Sequence, residues 1–592
     1  MANAATMSVE EANRTLTAAG QMFEMDEMDI RGVATRVWKN APASLRSVLE
    51  LSRSHGDADY LVYEDERTTF EDSFAMSATL ARALQERYGV AKGDRISIVM
   101  RNLPEWCVAF WATAAAGGVA VPLNAWWTGP ELEYGLHDSQ TAVAFVDSER
   151  LDRLLPHFAE LPHLRAVVVT DEHRNPPGTL PASSVPVVSF AELVGDKAPG
   201  PSAGIVLPDV ELSPEDDATI FYTSGTTGKP KGAVGTHRNM VTNLMSLFFL
   251  NARVSLRRSS GTGDGPGEER NAYLLSVPLF HATGCHSILV ANTAAGNKLV
   301  MMHHWDPERA LELIERERVT TFGGVPAMAM QVIDSPSFAT RDTSSVRSVA
   351  YGGAPAPPDL VRRIKEHFPV GSPSNGYGLT ETSSVTTMNS GDDYVRKPDS
   401  VGPPVPVCDV AVVPEGYDGE EPGADLPAGP EVVGELWIKG PNVVRGYWNK
   451  PDATAESFTR GWLHSGDIAR IDEEGFIHIV DRAKDMVIRG GENVYSVEVE
   501  AALFEHPAVA DCAVIGVPHP VLGEEVGAAI VMRPGTTVTA EELGRFARER
   551  LASFMVPAHF WFLSQPLPRN PQGKVLKREL RTSLLGEAPV VP

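Results

Sequence analysis

Residues 222–232 read Tyr-Thr-Ser-Gly-Thr-Thr-Gly-Lys-Pro-Lys-Gly. Four Ser/Thr hydroxyls (Thr223, Ser224, Thr226, Thr227), three glycines (Gly225, Gly228, Gly232) and two lysines (Lys229, Lys231) share this short run. Glycine lets backbone N–H groups approach an anion with no Cβ in the way. Hydroxyls donate hydrogen bonds and lysines bring positive charge, so the run suits a polyphosphate. On composition alone it also reads as an ordinary solvated loop. It is not a Walker A loop. Only Thr226 and Thr227 separate Gly225 from Gly228, and Pro230 follows Lys229, whereas that motif has a longer spacer and a Ser or Thr after its lysine.

Further candidates lie downstream. Asn375-Gly376-Tyr377-Gly378-Leu379-Thr380-Glu381 sets an aromatic ring between glycines, where it can lie flat against a purine. Thr380 and Glu381 beside it offer oxygen donors of the kind Mg²⁺ takes. Gly352-Gly353-Ala354-Pro355 follows a strand-like stretch and permits close backbone approach. His464-Ser465-Gly466-Asp467 and Asp481-Arg482-Ala483-Lys484-Asp485 mix charges that are ordinarily solvated. Arg489-Gly490-Gly491-Glu492-Asn493 reads as a turn before a helix. Lys574 closes a Pro/Gly loop, residues 568–574, of a kind usually found at the surface. His281, Cys285 and His286, with His303 and His304 nearby, have no four-ligand zinc spacing.

Strands alternating with helices must position these groups. Residues 74–88 and 106–116 read as helices, and 95–100, 119–121, 142–146 and 166–169 as strands, a pattern of layered α/β structure with largely parallel sheets. Residues 106–130 carry no charge, but Gly117, Gly118, Pro122, Gly129 and Pro130 interrupt them, so a buried helix and strand fit better than a membrane span. Residues 172–203, 255–270 and 414–431 show neither helical nor strand period and read as loops or insertions. After about residue 480 the pattern becomes a small α+β unit of normal domain size. The 592 residues exceed one ordinary core. A net charge of −25 argues against nucleic acid and anionic membranes as partners. Cys107, Cys285, Cys408 and Cys512 are scattered, and residues 8–29 are acidic rather than leader-like, so a reduced cytoplasmic location is expected.

The 222–232 run resembles the signature of the acyl-adenylate-forming superfamily: acyl-CoA synthetases, adenylation domains of peptide synthetases and beetle luciferases. The other motifs recur in that family's order. The resemblance implies an α/β fold: a large ATP- and acyl-binding domain (1–483) of layered α/β subdomains plus a β-barrel-like part, and a small mobile C-terminal α+β domain (484–592). It implies that Thr223, Ser224, Gly225, Thr227, Gly228 and Lys229 hold phosphates. Tyr377 stacks on adenine, with Gly353, Ala354, Gly378 and Thr380 around it. Asp467 takes the ribose and Arg482 the ribose or phosphate. Glu381 and Thr226 take Mg²⁺, and Lys484 is the hinge. Gly491 borders the pantetheine arm of CoA, His281 lines the acyl pocket, and Lys574 holds the substrate carboxylate against the α-phosphate.

The implied reaction activates a carboxylic acid with ATP to acyl-AMP and pyrophosphate, then transfers the acyl group to CoA. Lys574, Glu381, Thr226 and His281 are the expected catalytic group; ATP, Mg²⁺ and CoA are the expected cofactors and cosubstrate. Amino-acid-activating relatives usually carry an aspartate after the phenylalanine equivalent to Phe280; His281 there disfavours an α-amino acid. Phe280, His281, Ala282, Phe322, Gly323, Val325, Ala327, Met328 and Met330 suggest an apolar pocket for a fatty or aryl acid. Transfer to a carrier protein, an amine or another nucleophile, luciferase-type oxygenation and a non-catalytic binding role are the alternatives. The assembly is expected to be a monomer or homodimer.

Overall fold

The computed structural model describes residues 7–170, 183–195, 204–223, 229–257, 270–353, 356, 359–414, 416–417, 419–423, 426–427, 429–570, 573–586 and 589–590. Strands Val119–Pro122, Val143–Asp147 and Ala166–Thr170 are buried along their whole length, and Arg95–Val99 along nearly all of it. Such continuous apolar runs arise where both faces of a parallel sheet are covered. They pair in parallel in a seven-stranded sheet closed at one edge by the antiparallel hairpin Asp217–Thr223 and Lys231–Thr236. The hydroxyl- and glycine-rich loop is therefore a strand-to-strand connection, with Thr223 opposite Lys231 at its base.

An eight-stranded sheet runs from Thr387–Ser390 through Ser372–Tyr377, Ser348–Gly352, Thr321–Gly324, Ala272–Leu275 and Lys298–Met301 to Asp59–Tyr63 and Glu66–Thr69. Between the two sheets lies helix Pro104–Ala115, with Trp106, Phe110 and Trp111 fully buried. Its twelve residues span about 18 Å at 1.5 Å per residue, short of the roughly 30 Å of a bilayer core. Among the described residues, no helix is long and apolar enough to cross a membrane.

A five-stranded antiparallel sheet follows, with Gly434–Lys439 and Trp462–Ile471 at its centre and Ile477–Arg482 paired to the latter. The chain then builds a separate sheet on the long hairpin Val509–His519 and Gly523–Met532, flanked by helices Ser496–Phe504, Ala540–Arg548 and Lys577–Leu584. Its own hydrophobic clusters lie on the two faces of that sheet. The whole is mixed α/β, a large unit followed by a small α+β unit.

One region differs from the sequence reading, and the N-terminus holds elements that reading did not address. Within residues 172–203, Val187–Ser189 forms an edge strand parallel to Ala166–Thr170, and the next helix, Phe190–Val194, buries Phe190 and Leu193. A three-residue strand at a sheet edge is too short to show a period. The acidic N-terminus is also structured: Met25–Ile30 and Val33–Trp38 form a hairpin, and Phe23 and Trp38 pack on Phe249 at 5.5 and 5.3 Å between ring centroids.

Trp111 Nε1 donates to Tyr60 Oη at 3.3 Å, inside the inter-sheet core. Trp111→Ala is expected to cost about 3–5 kcal/mol, read as a lower guanidinium midpoint for loss of near-ultraviolet dichroism. An unchanged midpoint would contradict this packing.

Candidate active site

Tyr377 is the last residue of strand Ser372–Tyr377, and its Oη donates to Asp467 Oδ2 at 2.7 Å. Asp467 and Arg482 stand opposite each other on neighbouring antiparallel strands, and the register itself brings Arg482 Nε to 2.8 Å from Asp467 Oδ1. The Asp467 side chain is 3% exposed, so its charge depends on these two donors. Burial, then the Asp467 carboxylate, pushes the Tyr377 phenol well above its ordinary pKa. Burial works most strongly against the Arg482 charge, but Asp467, Tyr377, Asp485 and Glu381 together hold the guanidinium above its ordinary value. Gly378 is required by space: a Cβ there would sit 1.4 Å from the Ser384 carbonyl oxygen. Gly353, with φ +73°, holds a left-handed turn beside the same strand ends.

Lys574 comes to this trio from the small unit. Its loop is closed by Gly573 N–H donating to the Asn570 carbonyl and by Lys574 N–H donating to Asn570 Oδ1. The loop rests directly on the large unit, since a Cβ on Gly573 would meet Val325 Cγ2 at 2.7 Å. Burial, then the Arg482 and Lys484 cations, lowers the Lys574 pKa to about 8, with Asp485 and Asp467 opposing.

A cavity of ≈1510 Å³ joins these groups, with Gly353, Tyr377, Gly378, Asp467, Arg482 and Lys574 all on its wall. This exceeds the roughly 300–1,000 Å³ of single small-ligand pockets. Another part of the wall is apolar, formed by Phe280, Val325, Ala327, Met328 and Met330. Phe322 is not part of that wall. Strand alternation turns it into the core against Phe368, at 5.5 Å between ring centroids. His281, Ala282 and Gly323 also stand off the wall; burial pushes the His281 imidazole down to about 3, leaving it neutral at pH 7.

The other expected residues among those described do not line that wall. Glu381, in the short turn Thr380–Thr382, accepts a hydrogen bond from Tyr447 Oη at 2.8 Å. Lys231 Nζ lies 4.6 Å from the centre of the Tyr447 ring, and Lys229 Nζ lies 4.5 Å from that of Tyr134. Thr223 Oγ1 donates to the Lys231 carbonyl. Lys484 is exposed in the turn between Ile477–Arg482 and Val487–Arg489, and Gly491 is exposed on the small unit, with φ +89°. Ser224, Gly225, Thr226, Thr227, Gly228 and Ala354 lie outside the described residues. Tyr447 was not singled out by the sequence: it is 66 positions from Glu381, and nothing local in Arg445-Gly446-Tyr447-Trp448 marks it as a carboxylate partner.

Known proteins carry the same pattern. The family model for AMP-binding enzyme matches residues 50–448, and that for the AMP-binding enzyme C-terminal domain matches residues 498–574. A feruloyl-CoA synthase of Amycolatopsis sp is 34% identical over 87% of this chain and 93% of its own length. A long-chain-fatty-acid–CoA ligase of Bacillus subtilis (strain 168) is 33% identical over 91% of this chain and 94% of its own. The solved o-succinylbenzoate CoA synthetase of Bacillus subtilis, in complex with its acyl-adenylate intermediate, aligns with a TM-score of 0.72 at 29% identity, covering 91% of this chain and 98% of that one.

The Lys574 environment has a direct readout. Below about pH 8 its amine is protonated and unreactive; above it the amine is neutral. Competitive acylation of the ligand-free protein is expected to show a Lys574 midpoint near pH 8, against about 10.4 for an ordinary lysine. A midpoint at the ordinary value would contradict the burial described.

Proposed function

This chain belongs to the AMP-binding enzyme family, and we propose that it is an AMP-forming CoA ligase acting on a carboxylic acid with an apolar aryl or alkyl body. The observation that carries the reading is the convergence of Lys574 from the small unit with Tyr377, Asp467 and Arg482 from the large one on a single cavity.

In the first half-reaction the acid's carboxylate oxygen attacks the α-phosphorus of ATP. The bond to the β-phosphate's bridging oxygen breaks, pyrophosphate leaves and acyl-AMP remains. The Tyr377 ring lies against adenine between Gly353 and Gly378, with Ala354 and Thr380 beside it. Asp467 accepts from ribose hydroxyls and Arg482 contacts the ribose or phosphate. The loop from Thr223 through Ser224, Gly225, Thr227 and Gly228 to Lys229 clamps the outer phosphates. Lys574 bridges the carboxylate and the α-phosphate; these anions raise its pKa from the ligand-free value, so the proton stays on. Catalysis is then mainly positioning and charge stabilisation.

The Glu381 carboxylate, held on one oxygen by Tyr447, is the hard oxygen donor that Mg²⁺ takes together with phosphates and water. With Thr226 it would hold the ion, which supplies neutralisation of phosphate charge when bound.

In the second half-reaction the small unit, residues 484–592, turns about Lys484 relative to residues 1–483. Lys574 withdraws and the Gly491 segment moves in beside the pantetheine arm. The CoA thiolate attacks the acyl carbon of the anhydride, AMP leaves and acyl-CoA is released. Lids and domain movements of this kind let one site serve successive steps. The feruloyl and long-chain relatives support both CoA as acceptor and an apolar acid body, and Phe280, Val325, Ala327, Met328 and Met330 on the wall support the apolar body.

The test is AMP formation over a panel of aryl, alkyl and amino acids, with and without CoA. CoA-dependent AMP release with an aryl or alkyl acid is expected; AMP release that needs an amine or a carrier protein instead would replace the acceptor. In the same assay Lys574→Ala is expected to lower acyl-AMP formation by at least about 100-fold, the scale of losing one aimed charge in a closed site. It should change thioester formation from supplied acyl-AMP far less. Equal losses in both steps would remove the role given to Lys574.

A further inference from the structure

A buried polar cluster crosses the junction between the two units. Asp481, on strand Ile477–Arg482 of the large unit, is 2% exposed. Its carboxylate accepts from the backbone N–H and, at 3.0 Å, from the Oγ of Ser496. Ser496 opens helix Ser496–Phe504 of the small unit, so a carboxylate from one unit satisfies an N-terminal N–H of a helix in the other. Lys577 Nζ donates to Ser496 Oγ at 2.6 Å and pairs with Glu500 Oε1 at 2.7 Å. Glu500 Oε1 also accepts the Val514 N–H at 2.8 Å. Burial works against the Lys577 ammonium, but Glu500 and Asp481 outweigh it and keep it charged.

The placement of this cluster matters more than its strength. A buried ion network adds little net stability over an apolar replacement; its best-attested use is to fix one arrangement among several. Here it spans Lys484, with Asp481 before the turn and Ser496, Glu500 and Lys577 beyond it. Lys577 opens helix Lys577–Leu584 directly after the loop that presents Lys574. Hydrogen bonds of this length do not survive rotation of one partner, so turning the small unit about Lys484 must separate Ser496 from Asp481. The freed groups then meet water, which replaces most of what is lost, and the contact is therefore reversible.

We infer that Asp481, Ser496 and Lys577 form a latch that holds the small unit in the orientation where Lys574 reaches the cavity. Asp481 and Lys577 are thus positioning residues for acyl-AMP formation, and opening the latch precedes thioester formation. The inference rests on the two-step reading above.

Two arms test it on the full chain with Asp481→Asn and the milder Ser496→Ala. In the substrate-free protein, tryptic cleavage within 484–489 is expected to accelerate about 10-fold in both variants, the population change set by losing a hydrogen bond to a charged group. In the kinetic arm, ATP–pyrophosphate exchange with benzoate, cinnamate and decanoate is expected to fall by a similar factor. AMP release from the supplied benzoyl-, cinnamoyl- or decanoyl-adenylate with CoA should hold or rise. A merely structural role would lower both half-reactions together, and that result, or unchanged cleavage with unchanged exchange, would overturn the latch. If the wild type shows no exchange with any acid, the functional reading fails and the cleavage arm alone decides the latch.

Discussion

The Asp467 carboxylate is the fixed point on which the site depends. Taking a carboxylate out of water is costly unless charged or polar donors replace the water. Asp467 has two such donors, and they come from different places. Tyr377 ends a strand of the eight-stranded sheet, and Arg482 ends the last strand before the small unit. One side chain therefore ties the large sheet, the small antiparallel sheet and the start of the junction into one geometry. Losing either donor would leave a buried charge short of a partner, so the three residues constrain each other's positions.

The same trio sets the electrostatics that Lys574 meets. Asp467 leads the anionic groups that together keep Arg482 charged, and that charge adds to burial in depressing Lys574. With its pKa lowered to about 8, Lys574 still carries its proton at pH 7, and arriving anions hold that proton more firmly. Binding of a carboxylate and a triphosphate would therefore be coupled to the charge that stabilises their reaction. The small unit contributes this group through a loop seated on Val325, next to the apolar wall, so one loop borders both the apolar part of the cavity and the Tyr377–Asp467–Arg482 part.

Much of the architecture was legible because its signals are local. The uncharged run from Trp106 becomes a helix buried on all sides, and the β-branched runs become the parallel strands. The order of the motifs identified the family, and Tyr377, Asp467, Arg482 and Lys574 do meet on one cavity. What the sequence did not carry was pairing across distance. Tyr447 reaches Glu381 across 66 positions, and Asp481 reaches Ser496 across a turn whose conformation no periodicity encodes. Phe322 looked like pocket lining because Val325, Ala327 and Met328 just after it are; only the alternation of strand Thr321–Gly324 sends it to the core. The strand Val187–Ser189 was hidden by its shortness, and the strand Met25–Ile30 by its exposed acidic face.

If the cavity holds ATP with its α-phosphorus beside Lys574, the acid's own oxygen must end on AMP. The decisive measurement is turnover with a carboxyl-¹⁸O-labelled acid that the chain accepts, followed by mass spectrometry of the products. One labelled oxygen in AMP and none in pyrophosphate is the expected result. Label in orthophosphate or pyrophosphate, or AMP released without label, would mean attack elsewhere on the triphosphate and would contradict acyl-adenylate chemistry at this site.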